Sequence, residues 1–81
     1  MQARRQRRAE FLKILYDVVD GSVNDFVEGL ALAEQVGADD SEARRIMAYF
    51  EEKGLIKIDD HKAGIIRITA AGVDVVEEDA L

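Results

Sequence analysis

Apolar positions along this chain change period twice, and the changes mark its elements. Across residues 4–20, Leu12, Leu15, Tyr16 and Val19 fall at i, i+3, i+4 and i+7, which is one face of an α-helix. Phe11, Ile14 and Val18 form a second stripe beside the first. The combined face is wide, so this helix is expected to be covered on two sides. Gly21-Ser22 supplies its stop. In "VNDFVEG" (23–29), Phe26 and Val27 read as a buried extended pair. Residues 29–36 read as a short helix with Leu32, Ala33 and Val36 inward. Gly37 stands where a left-handed C-cap belongs.

"ADD" (38–40) is a tight turn, and Asp39 with Glu42 looks like an aspartate version of a capping box. The helix that follows, "SEARRIMAYFEEK" (41–53), turns Ala43, Ile46, Met47 and Phe50 inward, and Arg44, Arg45, Ala48, Glu51 and Glu52 elsewhere. Lys53 suits the negative end of the helix dipole, and Gly54 ends the helix. The period then drops from 3.6 to 2. "LIKID" (55–59) and "IIRIT" (65–69) place Ile56, Ile58, Ile66 and Ile68 inward, with Lys57 and Arg67 outward. The polar loop "DHKAG" (60–64) between them ends in glycine, so the segment predicts a β-hairpin. Thr69 is an N-cap for a last helix that buries Val73 and Val76 and runs out at "EEDAL".

Three helices, a hairpin and a helix, with a tight turn between the second and third helices, is the order of a helix-turn-helix carrying a wing. "EEKGLIKI" (51–58) resembles the end of a winged-helix recognition helix entering the first wing strand. "IRITAAG" (66–72) is similar to the wing's return strand and the start of the closing helix. "FLKILYDVVDGS" and "FVEGLALAEQVG" resemble the first two helices of small archaeal and bacterial winged-helix modules, which occur alone or attached to another domain. The resemblance covers residues 10–78. It implies a mainly α, α+β winged helix-turn-helix in a single domain. Its parts would be a basic N-terminal segment (1–9), a helix-turn-helix (29–53), a wing (55–69) and a closing helix (70–80). It also implies a DNA-binding module that regulates transcription.

Composition narrows the alternatives. A chain of 81 residues has room for one modest core. It has no cysteine, which removes disulfides and thiolate metal sites, and its one histidine, His61, argues against structural zinc. There is no proline, and no apolar run approaches bilayer length. The basic start "MQARRQRRAEF" has no signal-type apolar stretch behind it, so a cytoplasmic protein without a membrane partner is expected. No nucleophile–histidine–carboxylate set, glycine-rich phosphate loop or metal-ligand cluster stands out, so neither an enzyme nor a cofactor is expected.

The net charge of −6 is unevenly spread. Residues 1–13 carry five basic side chains against Glu10, giving +4, whereas the other 68 carry six basic and 16 acidic, giving −10. This acidic, lysine-poor body resembles proteins from high-salt organisms, in which acidity reports the solvent and not the partner.

The candidate contacts to double-stranded DNA divide by role. In a winged helix the exposed N-terminal half of the third helix meets the major groove. That half holds Ser41, Arg44, Arg45 and the edge of Tyr49. Arginine matches guanine O6 and N7 together. Arg4, Arg5, Arg7 and Arg8 form a basic run able to reach phosphates as an arm, and Lys62 and Arg67 are the wing cations expected to touch phosphate. Residues 41–53 sum to zero charge, and Asp39 and Asp40 make the region −2. A protein-interaction winged helix, or a fragment of a larger regulator, is therefore the competing reading. Phe11, Ile14 and Val18 are a candidate homodimer seam, unless the closing helix covers them. His61 beside Asp59 and Asp60 reads as an exposed loop histidine, with a metal site or pH switch as the sharper alternatives. Glu77, Glu78 and Asp79 form a solvated acidic end, or a junction to further sequence.

Overall fold

The first residues of helix α1 are glutamine, alanine and arginine, all of good helix propensity. In the computed structural model, which describes residues 2–79, α1 runs Gln2–Val19. The basic segment expected as an arm is thus part of the helix. Its end is a left-handed turn at Asp20 (φ 52°) and Gly21 (φ 74°), where the Gly21 amide donates to the Tyr16 carbonyl at 3.0 Å.

Among the described residues, four helices and a three-stranded antiparallel sheet follow the order α1, β1 (Val27–Glu28), α2 (Gly29–Gln35), α3 (Asp40–Glu52), β2 (Ile56–Asp60), β3 (Ile65–Ile68) and α4 (Ala70–Glu77). The sequence pattern foresaw the hairpin β2–β3, but not the third strand. β1 pairs with β3, with Val27 opposite Ile66 and Glu28 opposite Ile65, giving the order β1-β3-β2. Two residues are too few to show a period, so only the tertiary pairing reveals this strand. The buried pair expected at 26–27 is also corrected: Val27 is half-buried, but Phe26 is 63% exposed. Phe26 precedes β1 and turns its ring outward beneath the Arg67 guanidinium, whereas Val27 packs against the core from within the strand.

The turn between α2 and α3 spans residues 36–39. Gly37 takes φ 83°, and the Asp39 side chain accepts from the Glu42 amide at 2.8 Å. Only this half of the capping box forms, because the Glu42 carboxylate turns instead to Arg7. α4 starts the same way: Thr69 Oγ1 accepts from the Gly72 amide at 3.1 Å and donates to the Gly54 carbonyl at 2.6 Å. Gly72 is required for packing, since a Cβ there would collide with the Leu55 carbonyl oxygen.

The core gathers one face from each layer. α1 gives Phe11, Leu12, Leu15 and Val19, α2 gives Leu32 and Ala33, and α3 gives Ala43, Ile46, Met47 and Phe50. The sheet adds Ile56, Ile66 and Ile68. Phe11 stacks on Phe50 with ring centroids 6.2 Å apart. The second stripe of α1 is therefore largely used inside the molecule: Phe11 is fully buried, Ile14 packs against the core edge, and Val18 stays 57% exposed. Val73 and Val76 of α4 are half-buried against the same core. No described helix is long and apolar enough to cross a membrane.

Candidate nucleic-acid interface

Helix geometry sorts the outer residues of α3 into three rows, because each residue advances about 100° around the axis. Ala43, Ile46, Met47 and Phe50 are buried. Opposite them lies the exposed row Ser41, Arg45, Ala48 and Glu52. Arg44 and Glu51 flank that row on the side of the hairpin, while Glu42, Tyr49 and Lys53 flank it on the side of α1.

The hairpin flank is a latch. Arg44 donates to the carbonyls of His61 and Lys62 in the turn, at 2.9 and 3.3 Å. Glu51 accepts from the Ile58 amide of β2 at 3.2 Å and stands 3.6 Å from His61 Nε2. It thereby satisfies an amide on an edge strand that would otherwise face outward unpaired. The turn is closed by the Gly64 amide on the Asp60 carbonyl (2.8 Å) and the Ala63 amide on the Asp60 carboxylate (3.0 Å). Exposed Lys62 is carried at its tip. A shallow cavity of about 280 Å³, lined by Arg44, Ala48, Glu51, Ile58 and His61 among others, separates α3 from the hairpin.

The other flank brings in the basic start of α1. Arg7 Nε lies 2.8 Å from the Glu42 carboxylate, a half-buried ion pair 35 residues apart in sequence. The Arg8 guanidinium lies over the Tyr49 ring, 4.2 Å from its centroid. Arg4 and Arg5 are exposed one turn earlier on the same helix. By itself α3 sums to −2, with Arg44 and Arg45 against Asp40, Glu42, Glu51 and Glu52, and pairing with α1 sets Arg4, Arg5, Arg7 and Arg8 along its flank.

Three of the candidate contacts have their cations engaged inside the domain. Arg44 is held by the hairpin turn, and Arg7 by Glu42. Arg67 lies 3.2 Å from Asp59. Asp59 is the extra residue of a bulge, since Ile58 faces Ile66 and Asp60 faces Ile65. The Arg67 guanidinium also lies 5.9 Å from the exposed Phe26 ring. Arg45 makes only a local bond, to Ser41 Oγ at 3.0 Å. Lys53, Glu51 and Phe26 join these surfaces without having been singled out from sequence. Lys53 reads there as a helix-end charge, Glu51 as one of the residues turned away from the inner face, and Phe26 as part of a buried pair.

The described residues hold no group of three or more His, Cys, Asp or Glu able to bind a metal ion. Among the described residues, the one displaced titration is that of Tyr16, away from this surface. Its hydroxyl donates to the Glu77 carboxylate at 2.7 Å, and that hydrogen bond pushes the phenol above its ordinary value. No family model matches the chain, and no solved structure matches it.

Proposed function

We propose that this chain is a winged-helix domain that binds duplex DNA and serves transcription regulation. The supporting observation is the setting of α3. It follows α2 through a short turn, its row Ser41–Arg45–Ala48 is exposed, and it is flanked by a basic helix on one side and a latched hairpin tip on the other. The order of elements, with β1 closing a three-stranded sheet against the hairpin, fits the winged helix. In this reading Arg45 and Ser41 read base edges, with Tyr49 at the border of the contact. Arg4, Arg5, Arg8 and Lys62 meet phosphates. Arg44, Arg7 and Arg67 hold the parts in place and offer their remaining donors. One such helix reads few base pairs, so two copies act together on DNA.

The test is a fluorescence-anisotropy titration of a labelled mixed-sequence duplex across a salt series. Each phosphate contact contributes about −0.9 to the slope of log K against log salt. Binding with a slope of roughly −3 to −4 is expected from the four phosphate-facing cations. Arg45→Ala should lower discrimination between sequences while leaving the slope almost unchanged. An absence of binding at low salt by a demonstrably folded domain would overturn the reading. That outcome would favour a protein-docking module, a reading supported by the internal engagement of Arg44, Arg7 and Arg67.

A further inference from the structure

α1, α3 and α4 enclose a groove of about 500 Å³ on the flank of α3 away from the hairpin. Its rim carries Arg5, Arg8 and Lys53, and among the described residues no carboxylate side chain lines it. Its floor is Tyr49, Leu55 and Val75, backed by buried Phe50. In a chain with 17 acidic and 11 basic residues, three cations around an apolar floor are a local reversal of charge. Tyr49 is 39% exposed between two of them, with Arg8 at 4.2 Å and Lys53 at 5.7 Å from its ring centroid. Its ring also meets Phe50 edge-on at 5.5 Å. An aromatic ring held by its neighbours and left partly open to solvent makes a good anchor, since little side-chain freedom is lost when it is covered.

Two demands define the occupant. The rim requires negative charge, and the floor requires apolar surface. A DNA backbone meets the first demand and not the second, because hydrated sugar-phosphate would lie over Leu55 and Val75. An acidic polypeptide meets both. We propose that this groove docks an acidic amphipathic helix of a partner protein. Apolar side chains on one helical face would cover Tyr49, Leu55 and Val75, while flanking carboxylates would meet Arg5, Arg8 and Lys53. This is the helix-in-groove mode, with anchors at i, i+3 and i+4. The groove is centred on the α1 flank of α3, whereas base reading is assigned to the exposed row and phosphate contact to the hairpin tip and the start of α1. The rim cations Arg5 and Arg8 are shared with the proposed phosphate contacts, so duplex and partner helix compete for them, whereas Leu55 and Val75 belong to the groove alone.

The probe is a synthetic amphipathic peptide with Leu on one helical face and Glu at the flanking positions, added to the isotopically labelled protein and followed by amide NMR. Amide shifts centred on Tyr49, Leu55 and Val75 are expected. Lys53→Glu, at an exposed position, should weaken binding at least tenfold. Val75→Gln should weaken it similarly, and both variants should keep the wild-type spectrum elsewhere. A peptide with Lys in place of each Glu should not bind. Equal binding of the lysine peptide, shifts centred on the hairpin face, or no saturable shift with the glutamate peptide would each overturn the proposal. A duplex that moves the groove amides more than those of Arg45 and Lys62 would also overturn it. The Val75→Gln variant, which alters no charge and lies outside the proposed DNA contacts, should bind duplex within twofold of wild type. A domain that takes the peptide and refuses duplex would therefore retain the groove and lose the DNA reading.

Discussion

Two donors of the Arg44 guanidinium are committed to hairpin carbonyls, and the cost of losing them falls on the turn. Arg44→Ala should speed amide exchange at residues 61–64 selectively, with exchange in the core of α3 unchanged. Equal acceleration throughout would show that the hairpin is not held separately. Lysine cannot replace this arginine, since one ammonium cannot present a planar fork to two adjacent carbonyls. Tyr16 offers a second measurement at this scale. The Glu77 carboxylate accepts its phenolic proton, so the folded pKa lies above the unfolded one. The stability this contributes is fully present below the ordinary tyrosine range and is lost as pH rises through the raised folded value. Absorbance titration should show one tyrosine ionising late, and Glu77→Gln should bring it back toward its ordinary value. A titration unchanged by Glu77→Gln would remove the carboxylate charge as a cause, and one unchanged by Glu77→Ala would remove the hydrogen bond.

Elements are fixed here by caps and by one buried face each. The α3 pattern was readable because its inner residues follow the helical period and its end is marked by Gly54. The same reading failed at β1, where a two-residue strand has no period, and at Phe26, whose apolar character suggested burial. The dimer seam read from Phe11, Ile14 and Val18 reduces to Val18, because α3 and the core take up the rest. Phe50 is the residue at which these elements meet. It stacks on Phe11, touches the Tyr49 ring edge and backs the groove. Phe50→Ala should cost about 3–5 kcal/mol, from lost transfer energy and the cavity left behind. Chemical denaturation would measure this, and a loss below about 1 kcal/mol would mean that the neighbouring side chains collapse into the space.

Across the whole molecule, charge separates into a basic helix start and an acidic remainder. The fold decides what that separation does: it lays the basic start beside α3 and leaves the acidic end of α4 exposed elsewhere. Affinity for duplex should therefore depend on α1 more than on α3. Replacing Arg4 and Arg5 by alanine should reduce the salt slope by about 2, with stability nearly unchanged because both side chains are exposed. A slope unaffected by this pair would move the phosphate contacts to the hairpin. The acidic remainder repels a polyanion at long range, and that repulsion is screened beyond about 10 Å at 0.1 M salt. The sign of the local surface then outweighs the net charge.

By itself the sequence determined the periods, the stops and the caps: four helices, the hairpin, Asp39 and Thr69 at helix starts, and the inward set of α3. These are local properties, set by side-chain spacing of 3.6 or 2 and by which residues tolerate a turn. Tertiary structure alone decided the partners. It paired Val27 with Ile66, sent Glu42 to Arg7 and not back to its own helix, and gave Arg44 to the hairpin turn. It also brought Arg8 and Lys53 to either side of Tyr49. Those contacts join residues up to 41 positions apart, as between Arg8 and Tyr49. A pattern along one segment carries no information about which distant charge will fold against it, and here those distant charges make both candidate surfaces.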